Sequence, residues 1–332
     1  VDAVLAEKLQ VIIRPKITIE SEEPFKYKAV TAVMPEVEIK DHGSIKVKSE
    51  DVKVSAKDVE SVIEDFIKYA TTYKVAERGA KAKDRIEIDF EGFDEEGKAV
   101  PSTKSSNHPV IIGEKTLITG FEDELIGLKK GDKKEFNLTF PKDYGKEDFK
   151  NKKMKFKIEV KNLEEPVIPE LTEELIEKTT GKKQKIEEFR KGIEVTIESQ
   201  KQTKEKQRKE GAYIEELLKR MKVEIPQILV EEEVEHIIHD MQKSNLKPED
   251  LMKKYHGEAE RRIKVRLALQ HVLKVEKIEI SEEQISAELD KIKAYYPKSE
   301  QANIEKEFSE GNLRIQITNR LALEKLFEKV LG

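Results

Sequence analysis

Apolar positions recur with two different periods along this chain, and the period changes twice. Between residues 83 and 165 the runs DRIEIDFEGF, HPVIIG, KKEFNLTF and MKFKIEVKNL carry the alternation and β-forming residues of strands. Gly97, Gly113, Gly120, Gly127, Gly131 and Gly145 fall among them, where turns need residues tolerant of positive φ. The pattern predicts an antiparallel β domain. One short helix is signalled inside it: Thr119-Gly120-Phe121-Glu122 fits a capping box, with Glu122 reaching back to the Thr119 amide. Upstream, residues 1–82 open with a helix-like stretch. KYKAVTAVMPEVEI then reads as a half-buried strand stopping at Pro35. Ser55 begins a helix, SAKDVESVIEDFIKYATTYK, whose Val59, Val62, Ile63, Phe66 and Ile67 recur at helical spacing.

After Pro166 and Pro169 the period becomes helical. Ile186, Phe189, Ile193 and Ile197 open a long helix, but Glu198 to Gly211 (ESQKQTKEKQRKEG) contains no apolar residue. As a helix this segment spans about 20 Å with no face to bury, so it projects into solvent or bridges packed regions; the alternative is a flexible linker. Pro226 stands at a first helical position, followed by one apolar face of Val230, Val234, Ile237, Ile238 and Met241. A further helix runs through Ile263, Leu267, Val272 and Val275. Ser281 and Gln284 form a capping box before Ile285, Leu289 and Ile292, and a last helix carries Leu313, Ile317, Leu321, Leu326 and Val330.

Composition narrows the classes. The 332 residues suggest about two or three domains. With 37% hydrophobic and 39% charged residues the core is thin and the surface large, which predicts an elongated shape. The 63 basic side chains are interspersed with 68 acidic ones for a net charge of -5, so there is no concentrated basic stripe for nucleic acid. Absence of cysteine excludes disulfides, thiol catalysis and thiolate metal sites. No run of about 18 apolar residues exists to span a membrane, and the start of the chain lacks signal-peptide character, so a cytoplasmic location is the expectation. His236 and His239 are spaced H-x-x-H, but no third ligand is evident, and solvated imidazoles are the better reading. No cofactor or metal is expected.

The segment LITGFEDELIGLKKGDKKEFNLTFPKDYG places an apolar pair before a short capped helix, then a Gly-Asp turn, a strand and an aromatic-bearing loop. It resembles the core of FKBP-type prolyl isomerases, and DRIEIDFEG and MKFKIEVKNLEE resemble that fold's first and last central strands. PFKYKAVTAVMPEVEIKDHGSIKVK and a helix precede it; PVIPELTEELIEK, a long charged helix and KVEIPQILVEEEVEHII follow. That order resembles the bacterial trigger factor family over nearly all the chain.

The resemblance implies an α+β multidomain fold, an FKBP-like antiparallel β domain with one short helix inserted before an elongated all-α, two-armed chaperone body. It implies residues 1–35 as a remnant of a ribosome-binding domain that is mostly lacking, and 36–82 as a linker strand and helix associated with the helical body. Residues 83–165 become the isomerase and 166–332 the chaperone domain. The implied function is to hold unfolded or nascent polypeptides and to isomerise X-Pro bonds. Phe121 matches the aromatic floor of the prolyl pocket, Leu117 and Ile118 the apolar pair facing the substrate, and Phe90, Tyr144 and Phe156 the walls. On pattern alone Phe90, Leu117, Ile118 and Phe156 read more readily as simply the core of a small β domain.

Val100 and Pro101 stand where the family usually has an aromatic and an acidic residue, and His108 falls near another aromatic position. Weak catalysis or an altered proline preference follows from that, and a pure holdase with an inactive FKBP-like domain is the alternative; a scaffold for one folded partner is a third reading. The family binds the ribosome through a Gly-Phe-Arg-x-Gly-Lys loop that this sequence lacks, which puts ribosome docking in doubt. Phe189-Arg190-Lys191-Gly192 is similar but lies inside the predicted long helix.

Overall fold

The structure is a computed structural model and describes residues 15–23, 25–240 and 248–332. The helix-like start at residues 1–14 and the expected apolar position Met241 lie outside the described residues. In chain order the first elements are β1 (Lys16–Glu22), β2 (Phe25–Val30), β3 (Glu38–Ile39), α1 (Ala56–Ala70), β4 (Thr72–Val75), β5 (Arg85–Phe93), β6 (Ser105–Ile111), β7 (Lys133–Thr139) and β8 (Lys153–Val167). They continue with α2 (Glu173–Thr180), α3 (Ile186–Arg220), β9 (Met221–Lys222), α4 (Gln227–Asp240), α5 (Pro248–Val275), α6 (Glu282–Ala294), α7 (Lys298–Ser309) and α8 (Asn312–Leu331). The chain divides into two compact units, residues 53–199 and residues 1–52 with 200–332.

The unit at residues 53–199 is built on an antiparallel sheet of order β4-β8-β5-β6, with β7 also on β8. β8 is long because it pairs with β5 along one edge, and with β7 and then β4 along the other. It buries Met154, Phe156, Ile158 and Val160 at alternate positions, and then Leu163. The switch of parity falls where the β5–β8 register shifts between Glu87 and Ile88, since one extra residue turns every later side chain to the other face. Ile86, Ile88, Val110, Ile112, Leu125 and Phe136 complete this core.

Asp84 is buried at its edge, gripped by Arg78 Nη1 and Nη2 at 2.5 and 2.9 Å and by the Lys81 amide at 2.8 Å. Burial pushes its carboxyl up, but the guanidinium and amide outweigh that and hold it below the usual range.

α1 starts at a capping box formed by Ser55 and Asp58. The chain leaves the helix after Ala70, and Thr72–Val75 pairs with Glu164–Val167 instead of extending it, so Pro166 lies within β8 rather than beyond it. Phe66 of α1 packs on Phe189 of α3, with ring centroids 4.9 Å apart, and Glu60 pairs with Arg190 at 2.8 Å. The Phe-Arg-Lys-Gly run is thus ordinary helix. The expected linker at residues 36–82 is divided between the two units at Val52 and Lys53.

The other unit is helical. α4 and α5 bury Leu229, Val230, Val234, Ile237, Ala259, Ile263 and Leu267 together with Ala32. A second cluster joins Tyr213 and Leu217 of α3, Ala268 and Val272 of α5, Leu326 and Phe327 of α8, and Ile39 and Ile45. α3 runs unbroken through the apolar-free stretch Glu198–Gly211. Polar grips replace an apolar face there: Glu205 accepts the Glu50 amide at 2.8 Å, Arg208 donates to the Lys48 carbonyl at 2.7 Å, and Lys209 donates to the Leu331 carbonyl at 2.9 Å.

One expected strand is shorter than its pattern, and one helix was not expected. The strand read from KYKAVTAVMPEVEI ends at Val30 rather than Pro35 and is exposed throughout, because its hairpin with β1 has no third layer among the described residues. α7 has no counterpart in the sequence reading, since SEQANIEKEF offers little apolar periodicity.

Candidate active site

The turn after β6 and the loop after β7 close over the sheet and leave a cavity of about 390 Å³. Phe90, Leu117, Ile118, Phe121, Tyr144 and Phe156, the side chains singled out from the sequence, all line it. Phe121 and Phe156 are each 2% exposed and belong to the core, while Phe90, Leu117, Ile118 and Tyr144 are half-buried around the opening. Core and pocket are therefore not alternatives at Phe121, whose ring ends the packed interior and begins the cavity. The ring meets Phe90, Phe136 and Phe156 edge-on at 5.5, 5.1 and 5.3 Å, a geometry that pins its plane.

Phe121 reaches this place on a turn, not a helix. The Phe121 amide donates to the Ile118 carbonyl at 3.0 Å, and only a single 3₁₀ turn, Asp123–Leu125, follows. The expected capping box is absent. Glu122 instead accepts backbone N–H bonds from Gly113 at 2.7 Å, Lys115 at 3.0 Å and Thr116 at 2.8 Å, with Leu117 at 3.4 Å. Four converging amides outcompete one distant cap.

The sequence reading missed Ser102, Thr103, Thr116, Thr119, Phe140 and Pro141, which also line the cavity. Pro101 opens a 3₁₀ turn, Pro101–Thr103, that brings the first two in, while Val100 packs into the core beneath. Thr103 Oγ1 donates to the Val100 carbonyl at 2.7 Å and accepts the Gly92 amide at 3.0 Å. A Cβ on Gly92 would lie 2.5 Å from that oxygen and 3.1 Å from the Phe156 ring, so the strand needs glycine here. His108 touches the site through Phe90, edge-on at 5.5 Å, and does not itself line the cavity.

The lining carries no carboxylate, amine or imidazole, and Tyr144 holds its one titratable group. Such a surface suits a neutral apolar ring. A larger cavity of about 730 Å³ in the helical unit is lined by Glu36, Glu38, Lys222, Glu224 and Lys264, and its charge makes it a poor receptacle for a proline. Among the described residues no group of three or more His, Cys, Asp or Glu side chains is placed to hold a metal. Nor is any helix among them long and apolar enough to cross a membrane.

Three family models match the chain. That of FKBP-type peptidyl-prolyl cis-trans isomerase covers residues 76–161, that of the bacterial trigger factor protein C-terminus residues 185–332, and that of bacterial trigger factor protein residues 1–66. The trigger factor of Agathobacter rectalis is 31% identical over 86% of this chain and 69% of its own length. That of Enterococcus faecalis is 30% identical over 98% of this chain and 81% of its own length.

The chain belongs to the bacterial trigger factor family.

The trigger factor of Shouchella clausii is also similar, at 28% identity over 86% of the chain and 70% of the relative. A solved structure described as "Promiscuous Substrate Recognition in Folding and Assembly Activities of the Trigger Factor Chaperone" covers 99% of the chain at 21% identity and a TM-score of 0.48, too slight a likeness to argue from. The match at residues 1–66 overturns the expectation that most of the N-terminal trigger factor domain is lacking. That expectation rested on one missing loop, whereas the match extends through the β1–β2 hairpin and into α1. The chain is a chaperone for nascent and unfolded polypeptides and carries an FKBP-type peptidyl-prolyl isomerase.

Proposed function

We propose that the cavity over Phe121 is where the chain isomerises X-Pro bonds, and that client polypeptide is held elsewhere, on the C-terminal helices. We assign catalysis to residues 83–165 and holding to residues 166–332 together with the preceding strand and linker segments. The observation that carries the catalytic reading is the uncharged aromatic lining of the cavity.

The reaction breaks no covalent bond. Rotation about the X-Pro bond faces a barrier of roughly 18–20 kcal/mol because amide resonance gives the C–N bond double-bond character. The planar amide is the more polar species and the twisted amide the less polar. An apolar wall of Phe90, Leu117, Ile118, Phe121 and Phe156 therefore favours the twisted state over the planar one. Holding the pyrrolidine ring on Phe121 while the preceding carbonyl swings adds binding that is complete only at the transition state. No proton moves, so no general acid or base is required.

The test is proline-limited refolding of a slow-folding client. The unaltered chain is expected to raise both rate and yield. Tyr144→Ala trims the half-buried rim without emptying the core, and is expected to lose most of the rate gain while keeping the yield. If Tyr144→Ala leaves the rate untouched, the cavity is not the site. If the unaltered chain raises yield alone, the chain is a pure holdase, the reading that Val100 and Pro101 favour. Ribosome contact within these 332 residues has no Gly-Phe-Arg-x-Gly-Lys run to rest on; co-sedimentation with ribosomes checks whether other residues replace it.

A further inference from the structure

Two carboxylates are buried among the described residues, Asp84 and Glu122. Arg78 answers the first, but the second has no cation partner and no task in the reaction above. Glu122 is 7% exposed and does not line the cavity. Its Oε2 accepts the amides of Gly113 and Lys115 at 2.7 and 3.0 Å, and its Oε1 those of Thr116 and Leu117 at 2.8 and 3.4 Å, with the Thr116 hydroxyl also at 3.4 Å. Every acceptor site on the carboxylate is turned to one five-residue turn.

That turn is costly to hold. Lys115 sits at φ 56°, in the left-handed region that side chains avoid, beside Gly113 at φ 101°. It runs directly into Leu117 and Ile118, which form one wall of the cavity. The carboxylate that restrains it belongs to the residue next to Phe121, the floor, so a single side chain fixes the wall against the floor.

We propose that Glu122 is a positioning residue for the isomerase reaction: its carboxylate clamps the turn Gly113–Leu117 and thereby sets where Leu117 and Ile118 stand over Phe121. This rests on the reading of the cavity as the prolyl site. Glutamine has nearly the same shape but offers one acceptor oxygen, and its NH₂ faces amides that are themselves donors. Glu122→Gln must therefore open the turn. The proline peptide loses a wall, and kcat/KM falls, while client holding, which uses other residues, does not.

The proposal also fixes a pH profile. Burial pushes the Glu122 carboxyl up, but the amides of Lys115, Gly113, Thr116 and Leu117 outweigh it and keep the group below the ordinary glutamate range. Of the charged residues nearest in sequence to this turn and to Glu122, Glu114 is paired with Lys68 of α1 at 2.6 Å, and Lys115 and Asp123 are exposed; backbone amides, not charges, lower the carboxyl. A lowered folded pKa means that the clamp is complete above the ordinary value and is lost as pH falls through the lowered one.

The experiment is exchange NMR of a capped proline tetrapeptide with no titratable group, from pH 8 down to the acid limit at which the chain stays folded, using the full chain, Glu122→Gln and Tyr144→Ala. Near-ultraviolet circular dichroism at pH 7 reports whether each variant folds. Glu122→Gln is expected to lower kcat/KM roughly ten- to a hundredfold at pH 7, chiefly through KM, and to lack the acid limb of the unaltered chain. In the unaltered chain the amide resonances of Gly113, Lys115 and Thr116 are expected to titrate together with that limb, a readout that does not depend on the variant folding. Glu122→Gln with the unaltered rate and profile beside a slowed Tyr144→Ala would overturn the positioning role alone. An unaltered rate in Tyr144→Ala would overturn the cavity reading and the role with it. Amide shifts that titrate apart from the activity also refute the role.

Discussion

At the scale of single residues, the site owes its shape to close approaches more than to any reactive group. Gly92 is the clearest case, with the Thr103 hydroxyl and the Phe156 ring occupying the space a Cβ would need. Gly92→Ala should destabilise the β unit by about 1–3 kcal/mol through overpacking and should slow isomerisation more than a similar change remote from the cavity. Denaturant melts and peptide kinetics check the two parts separately. Phe121 needs a gentler probe than alanine, because emptying a ring-sized space costs about 3–5 kcal/mol and conflates unfolding with loss of the site. Phe121→Leu should keep the fold and lower the rate.

Asp84 is a purely structural counterpart. Asp84→Asn removes the buried partner of the Arg78 guanidinium, leaving it Glu165 alone at 3.0 Å, and should cost about 2–3 kcal/mol in a melt at pH 7. Because the folded carboxyl sits low, that difference is present above the ordinary aspartate pKa and shrinks as pH falls through the folded value. Phe90, Leu117, Ile118, Phe121, Tyr144 and Phe156 were legible through the resemblance to FKBP-type isomerases, whereas Phe140 and Pro141 were not. Ser102, Thr103, Thr116 and Thr119 were not, since a hydroxyl's direction is set by the turn that carries it. Glu122 was misread for a related reason. A box of the right spacing was seen, but the amides that win the carboxylate lie five to nine residues upstream.

At the scale of elements, α3 shows how a helix without an apolar face is kept. Its stretch Glu198–Gly211 is fixed by side-chain grips on Lys48, Glu50 and Leu331. Arg208, and then the Glu50 amide, lower the Glu205 carboxyl to about 2. The grip is therefore complete above about pH 4.3, the unfolded glutamate value, and is released as pH falls toward 2. Hydrogen exchange at the Glu50 amide should quicken across that window, and Glu205→Gln should abolish the pH dependence. Lys204→Pro, in the exposed middle of the helix, should cost about 3 kcal/mol of helix stability and lower aggregation suppression. Helix continuity was readable in part, because helix formers flank the stretch and no proline interrupts it. The grips were not, since partners more than 120 residues away leave no local pattern. β4 was hidden for the same reason: TTYK is indifferent between helix end and strand until Glu164–Val167 pairs with it.

At the scale of the whole molecule, the chain interrupts one unit with another. Residues 1–52 and 200–332 form a helical unit, and residues 53–199 a unit centred on the sheet. The pairing of Val75 with Glu164 brings the two ends of the isomerase segment side by side. Excising residues 77–162 and closing the gap with a short Gly-Asn turn should therefore be tolerated. The shortened chain should keep the helical unit's melting transition and its aggregation suppression and lose all proline catalysis. A shortened chain that folds but no longer protects clients would show that holding needs the isomerase segment. The change from period two to period 3.6 near residue 166 does not coincide with this division, because α2 and the opening of α3 lie in the unit of residues 53–199; residues 36–82, expected with the helical body, are split, Ile39 and Ile45 packing in the helical unit and residues from Lys53 onward lying in the other.

The central claim is that proline sits on Phe121 within an uncharged, aromatic-walled cavity. Chemical-shift mapping with a labelled chain and a short proline peptide tests it most directly. The methyl and ring resonances of Phe90, Leu117, Ile118, Phe121 and Tyr144 should move together, in proportion to peptide bound, and the cis and trans proline signals should exchange at the accelerated rate. Acceleration accompanied by shifts only among residues 200–332, with those five resonances unmoved, would contradict it.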